Sequence, residues 1–98
     1  MFADSAGVLI HALDNEARDS TLAPIVVVPG MGESAEEYAW LLAELGDRRV
    51  VAVDVRGRGR SDAPEHGYRW EDHIGDIAAM IAMLADRKST RLNSSHRL

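Results

Sequence analysis

Two kinds of hydrophobic pattern alternate along this chain. Residues 24–28 (PIVVV) and 49–55 (RVVAVDV) are almost continuous apolar runs, rich in valine. Such runs are typical of strands in a parallel sheet that is covered on both faces. A shorter, partly alternating run at residues 8–13 (VLIHAL) predicts one more strand. These three segments are the predicted strands.

Helical periodicity marks the segments that follow the two valine-rich runs. Ser34 and Glu37 have the spacing of a capping box, in which each side chain satisfies an unpaired backbone amide at the start of a helix. Four residues then recur at helical spacing and predict one apolar stripe: Tyr38, Leu41, Leu42 and Leu45. A second helix is predicted over residues 70–84, with a buried face of Ile74, Ile77, Ala78, Ile81 and Leu84. The alternation of strands and helices predicts the α/β class, in which a right-handed crossover joins parallel strands.

The composition fits one small domain and excludes several classes of protein. The chain has 98 residues, 46% of them hydrophobic, and no cysteine, which excludes a disulfide framework, a thiolate metal site and a cysteine nucleophile. Residues 1–85 carry seven arginines against fifteen acids, a net charge of −8, which is unsuited to nucleic acid or anionic membranes. No signal peptide or membrane span is recognisable, so the cytoplasm is the expected compartment.

The last thirteen residues differ in composition from the rest. Residues 86–98 have a net charge of +3, and residues 86–96 (DRKSTRLNSSH) lack any apolar period. The latter segment resembles the read-through translation of a sequencing adapter. We therefore expect a native portion at residues 1–85 and a non-native tail at residues 86–98, which is left out of the functional interpretation.

The glycine-rich segment after the second predicted strand has two interpretations. In the first, Gly30-Met31-Gly32 begins a G-x-G-x-x-A pattern that ends at Ala35, between a strand and a helix. Asp54 ends the next strand, roughly where an acid that binds a ribose belongs. This alternative is a fragment of a dinucleotide-binding oxidoreductase of the Rossmann type.

The second interpretation also accounts for the segment after the third strand. Residues 54–64 (DVRGRGRSDAP) resemble the D-x-R-G-x-G-x-S-x-x-P segment of α/β-hydrolase proteins, and the resemblance extends over about residues 8–84. It implies the N-terminal part of an α/β-hydrolase fold, a mostly parallel sheet with flanking helices, here incomplete. Five motif residues are expected to shape the turn rather than to catalyse: Asp54, Arg56, Gly57, Gly59 and Ser61.

The resemblance also implies a role for the glycines. In the family, the oxyanion hole includes a backbone amide from the loop that follows the strand corresponding to residues 24–28. Here that amide is the Met31 N–H, flanked by Gly30 and Gly32. Pro29 stands where the family has a histidine that orders the loop. The nucleophile, acid and histidine of the triad lie later in the family's chain order, so the fragment itself is expected to be inactive. The parent is expected to hydrolyse a small-molecule ester or related substrate without a cofactor.

Other polar residues are given structural roles. The four histidines lack the spacing of metal ligands, so no metal is predicted, and His73 is expected on the surface of the second helix. No paired-carboxylate role is expected for Asp72 and Asp76, which lie on the same helix. Ser61 precedes Pro64 and not a helix, so it does not fit a nucleophile elbow.

Overall fold

A four-stranded mixed sheet with helical segments on its two faces forms the described part of the molecule. The computed structural model describes the backbone of residues 1–17 and 22–92 and the side chains as far as residue 85. The strands are β1 (Phe2–Ser5), β2 (Val8–Asp14), β3 (Ile25–Val27) and β4 (Val50–Asp54), in the spatial order β1-β2-β4-β3. The helical segments are a 3₁₀ helix (Ala35–Tyr38), α1 (Ala39–Glu44) and α2 (Trp70–Leu92). The predicted α/β class is confirmed.

The first two strands form a hairpin, of which the sequence analysis missed β1. The two turn residues, Ala6 and Gly7, both have positive φ, at 50° and 92°, as a two-residue type I′ turn requires. The Asp4 carboxylate accepts a hydrogen bond from the Gly7 N–H at 2.9 Å and stabilises this turn. Alanine rarely adopts positive φ, so the Ala-Gly pair is a weaker hairpin signal than Asn-Gly, and β1 is only four residues long.

The centre of the sheet is β4, which is buried along its whole length. It pairs antiparallel with β2 and parallel with β3, so the described part of the sheet has one parallel pair and is not mostly parallel. Val51 and Val53 pack on one face with Met80 of α2, and Val50 and Ala52 pack on the other face. Burying each valine contributes about 1.5–3 kcal/mol, which explains why an uninterrupted valine run occurs here.

The strand β3 lies at the edge of the described sheet. It has β4 on one side, and its three residues are half-buried: Val26 packs against the core on one face of the sheet, and Ile25 and Val27 pack against the core on the other. The strand is therefore covered on both faces as predicted, but only in part. Val28, the next residue, is 48% exposed. The valine run therefore indicates a strand correctly but overstates its burial.

The first helical segment begins where the capping box predicts. The Glu37 carboxylate accepts a hydrogen bond from the Ser34 N–H at 3.0 Å, and a 3₁₀ turn leads into α1. Leu42 is buried, but Leu45 is 37% exposed, so the predicted stripe faces the core only in part.

The second helix starts at Trp70 as predicted but presents a different face to the sheet. Its buried residues are Asp76, Met80 and Leu84, whereas Ile74 is 53% exposed and Ile81 is 49% exposed. Of the predicted buried face, Leu84 is buried and Ile77 is half-buried, whereas the prediction is wrong for Ile74, Ala78 and Ile81, which are exposed. The cause is an ion pair of Asp76 with the loop after β4, described below, which fixes the rotation of the helix.

The backbone of α2 continues beyond residue 84 to Leu92, through the boundary predicted at residue 86. Side chains after residue 85 and residues 93–98 lie outside the described part of the chain. Over the residues that are described, no helix combines the length and hydropathy of a membrane span.

Candidate active site

The candidate site starts with a tight turn directly after β3. The Glu33 N–H donates to the Gly30 carbonyl oxygen at 3.0 Å, and Gly32 has a φ of 82°, as expected at the third residue of a type II turn. Met31 is the second residue of this turn, which we call the glycine turn (residues 30–33). Its side chain is 91% exposed.

The carboxylate of Glu33 bonds back to the first residue of the glycine turn. Glu33 Oε1 accepts hydrogen bonds from the Gly30 N–H at 2.6 Å and from the Tyr38 hydroxyl at 2.7 Å. These two donors, the hydroxyl first, lower the pKa of Glu33 below its usual value, and the same contact raises the pKa of Tyr38. Glu33 is therefore ionised at neutral pH, and its charge is shared with two donors.

The Met31 N–H has no hydrogen-bond partner within the described residues. The amides of Gly30 and Glu33, at the two ends of the turn, are both used inside it, and the Gly32 N–H, like that of Met31, has no partner among the described residues. An amide that is held by a tight turn and lacks a partner can donate to a ligand oxygen at little reorganisation cost.

Asp54, at the end of β4, connects three separate segments. Its carboxylate accepts from His11 Nδ1 at 2.8 Å, from the Ala35 N–H at 2.7 Å and from the Arg60 N–H at 3.3 Å. A side chain at Gly59, where φ is 50°, would collide with this carboxylate. The glycine is therefore required both by the backbone conformation and by the close approach.

Ser61 and Asp62 attach the loop after β4 to β2. The Ser61 hydroxyl accepts from the His11 N–H at 2.7 Å and donates to the Asp54 carbonyl oxygen. The Asp62 N–H donates to the Leu9 carbonyl oxygen at 2.9 Å, and the Asp62 carboxylate accepts from the Leu9 N–H at 3.0 Å. Ser61 therefore bonds to the backbone N–H of His11 and not to its ring, so Ser61, His11 and Asp54 do not form a catalytic triad.

Arg56 forms a buried ion pair with Asp76 of α2. Arg56 Nη2 and Nε donate to the Asp76 carboxylate at 2.8 Å and 3.0 Å, and the Arg56 N–H donates to it at 3.0 Å. Burial acts to raise the pKa of Asp76, but the hydrogen bonds from Arg56 and Ser5 outweigh it, and the pKa is lowered. The remaining guanidinium nitrogen, Nη1, donates to the Gly67 carbonyl oxygen at 3.0 Å.

Gly57 completes the motif. Its φ is 80°, its N–H donates to the Asp62 carbonyl oxygen at 2.8 Å, and a Cβ there would lie 2.7 Å from the Tyr68 ring. Four of the predicted motif residues thus make hydrogen bonds that hold the loop after β4, and Gly59 leaves room for the Asp54 carboxylate. The role of His11 and Asp76 as partners was not foreseen. A polar residue at helical spacing from Met80 and Leu84 was the available signal for Asp76.

An apolar groove of about 300 Å³ lies between the glycine turn and α2. We define the apolar groove by six of its lining residues: Val28, Met31, Val55, Trp70, Ile74 and Ile77. His73 also lines it, packs its ring on Tyr68 with 6.1 Å between centroids, and has a buried Nδ1 without a partner in the described region. His73, which was expected on the surface of the second helix, is thus half-buried there. Among the side chains that the structure describes, in residues 1–17 and 22–85, no cluster could hold a metal ion.

The chain resembles known proteins both in sequence and in fold. A family model described as "Serine aminopeptidase, S33" matches residues 19–94. The chain belongs to this hydrolase family. Its resemblance to α/β-hydrolase proteins, first seen in residues 54–64, is thereby confirmed.

Individual relatives of this hydrolase-family chain are much longer. A 2-(acetamidomethylene)succinate hydrolase of Mesorhizobium japonicum is 42% identical over 57 residues, which are 57% of this chain and 20% of that protein. An esterase from Exiguobacterium antarcticum (27% identity, TM-score 0.75) and an enol-lactonase from Burkholderia xenovorans (28%, 0.76) each match 87% of this chain. The matches span 31% and 33% of those two structures, so the chain corresponds to a third or less of each relative.

Proposed function

We propose that this chain supplies the oxyanion-stabilising turn of a hydrolase that acts on a small-molecule ester or a related substrate. The observation that carries the proposal is the Met31 N–H, which is held in the glycine turn without a partner among the described residues, beside the apolar groove. Family membership supports it, as do relatives that include an esterase and an enol-lactonase.

The chemistry follows from the charge that develops during acyl transfer. When a nucleophile attacks an ester carbonyl, its oxygen becomes an anion, and fixed N–H donors stabilise that anion more than the neutral carbonyl. Gly30 and Gly32 have no side chains that would obstruct an approaching substrate. Met31 can supply the donor despite its side chain because the donor is the backbone amide.

The rest of the machinery belongs to the longer protein that we propose. No G-x-S-x-G sequence occurs in the 98 residues, so a nucleophile, the second oxyanion donor and the remaining triad residues must come from elsewhere. We expect the 98-residue chain alone to hydrolyse no ester. We further propose that the parent needs no cofactor, binds neither nucleic acid nor membrane, and resides in the cytoplasm.

The dinucleotide alternative has less support. A ribose would need the Asp54 carboxylate, but that carboxylate already accepts from His11 and from the Ala35 N–H. The Ala35 N–H is also one of the amides at the start of the 3₁₀ helix, where a pyrophosphate would bind. Both features that the alternative requires are therefore engaged within the chain, and calorimetry with NAD should give no heat of binding.

A chimera tests the hydrolase proposal. Residues 1–85 replace the corresponding segment of the Exiguobacterium antarcticum esterase, and hydrolysis of p-nitrophenyl acetate is measured. Met31→Pro removes the N–H at a turn position where proline is favoured, whereas Met31→Ala keeps the N–H and is the matched control.

We expect Met31→Pro to lower kcat about 100-fold and Met31→Ala to change it little, because one oxyanion donor contributes a factor of that size. Equal kcat values for the two variants would contradict the proposal. So would an inactive parent chimera that circular dichroism reports as folded.

A further inference from the structure

The glycine turn needs an internal support, because the residue before it offers none. Pro29 has no N–H and no polar side chain, so it cannot donate a hydrogen bond to the turn. Gly30 and Gly32 are the residue type with the largest conformational freedom, and an unsupported turn of this composition samples many backbone states.

We propose that Glu33 is the positioning residue of the glycine turn: its carboxylate holds residues 30–33 in the one conformation that leaves the Met31 N–H available to an oxyanion. The inference rests on the proposed function and adds to it the residue that keeps the donor in place.

Three contacts carry the proposal. Glu33 Oε1 accepts from the Gly30 N–H at 2.6 Å, which ties the start of the turn to its end, and the backbone bond between the same two residues measures 3.0 Å. The Tyr38 hydroxyl donates to the same oxygen at 2.7 Å, which anchors the carboxylate to the last residue of the 3₁₀ helix. A Cβ on Gly30 would lie 3.2 Å from Glu33 Oε1, so a larger residue there would displace this carboxylate by a few tenths of an ångström.

The charge of Glu33 gives the proposal a distinctive consequence. Glu33 borders the apolar groove near Met31, and a negative charge there opposes the formation of an oxyanion. The two donors to Oε1 offset that charge, and only the acceptor oxygen, not the charge, is needed to hold the turn. Glu33→Gln keeps an acceptor oxygen without the charge and should therefore preserve the turn and the rate, whereas Glu33→Ala should loosen the turn and lower the rate.

A neighbouring carboxylate provides the matched control. Glu37 accepts from the Ser34 N–H at 3.0 Å, one turn further along, and belongs to the capping of the 3₁₀ helix. Glu37→Ala removes the same kind of bond without touching the glycine turn.

The first experiment measures amide hydrogen exchange by NMR in the 98-residue chain. In Glu33→Ala, we expect the Gly30 amide to exchange about tenfold faster, while Glu33→Gln and Glu37→Ala leave that rate within a factor of two of the parent. Tyr38→Phe, which removes one of the two donors, should give an intermediate rate. An unchanged Gly30 rate in Glu33→Ala would refute the positioning role.

The second experiment uses the chimera and separates this inference from the proposed function. Glu33→Ala should lower kcat about tenfold with little change in KM, and it should cause no further loss in the Met31→Pro background, because the donor is then already absent. If Met31→Pro alone leaves kcat unchanged, the proposed function fails. If Met31→Pro lowers kcat but Glu33→Ala does not, or if Glu33→Ala lowers kcat equally in both backgrounds, the positioning role alone is refuted.

Discussion

Removing Asp76 should cost the chain a large part of its stability. The Asp76 side chain is fully buried, that of Arg56 is 8% exposed, and three Arg56 nitrogens donate to the carboxylate. Asp76→Ala leaves the guanidinium buried without its counter-ion. Breaking a buried pair from one side costs about 3–5 kcal/mol, because the remaining charge has lost its solvent and gained no partner.

The expected loss is large against the stability that a chain of this size has. At about 0.05–0.15 kcal/mol per residue, 98 residues give about 5–15 kcal/mol in total. Urea unfolding followed by far-UV circular dichroism measures the change. With an m-value of about 1–3 kcal/mol/M, the midpoint should fall by at least about 1 M.

Two controls make the reasoning refutable. Arg69 and Glu71 form an exposed pair, with nitrogen and oxygen 3.7 Å apart and side chains 80% and 73% exposed, so Glu71→Ala should cost at most about 1 kcal/mol. The double variant Arg56→Met/Asp76→Leu removes both charges and should regain most of what Asp76→Ala loses. A loss below about 1 kcal/mol in Asp76→Ala, or a double variant no more stable than the single one, would refute the account.

Two further predictions concern pH and glycine. The pKa of Asp76 is lowered in the folded state, so its carboxylate stabilises the fold at pH values above the unfolded-state pKa near 3.8, and this stabilisation is lost as the pH falls through the lower folded-state pKa. In an acid titration, the free energy of unfolding of Asp76→Asn should therefore fall less than that of the parent. Gly59→Ala forces a side chain against the Asp54 carboxylate at positive φ and should cost more than about 1 kcal/mol in urea unfolding. Gly75→Ala in α2, where the new Cβ meets only Ser5 Oγ at 4.0 Å, should instead stabilise by about 0.5–1 kcal/mol; a loss equal to that of Gly59→Ala would contradict this account.

The elements of the fold could be predicted where one local pattern decides the structure. The valine runs at β3 and β4 and the capping box at Ser34 are local signals, and each element lies where its pattern indicates. The strand β1 was missed because it is short and its turn uses Ala6 at a φ that alanine seldom adopts.

The orientation of α2 could not be predicted, because it depends on a residue far away in the sequence. Hydropathy assigns Asp76 to the surface and Ile74 to the core, and the structure has the opposite arrangement. The reason is Arg56, twenty positions earlier, whose guanidinium needs a buried counter-ion. A periodicity argument treats each helix alone and cannot include such a partner.

The candidate site could be predicted from the sequence only where local backbone geometry decides it. The positions of the glycines follow from local backbone demands, and Gly32, Gly57 and Gly59 all have positive φ. The contacts of Glu33 and His11 depend on side-chain geometry that no spacing rule describes. The assignment of residues 86–98 to a non-native tail stays a prediction.

The carboxylate of Asp54 joins β2, the start of the 3₁₀ helix and the loop after β4, and this has a consequence for variation among related sequences. The start of the 3₁₀ helix and the loop after β4 are bonded to the same carboxylate, so a displacement of one of these segments also moves the other. Insertions or deletions should therefore be tolerated only outside the anchored stretch, for instance at residues 63–66, between Asp62, which is bonded to Leu9, and Gly67, which is bonded to Arg56.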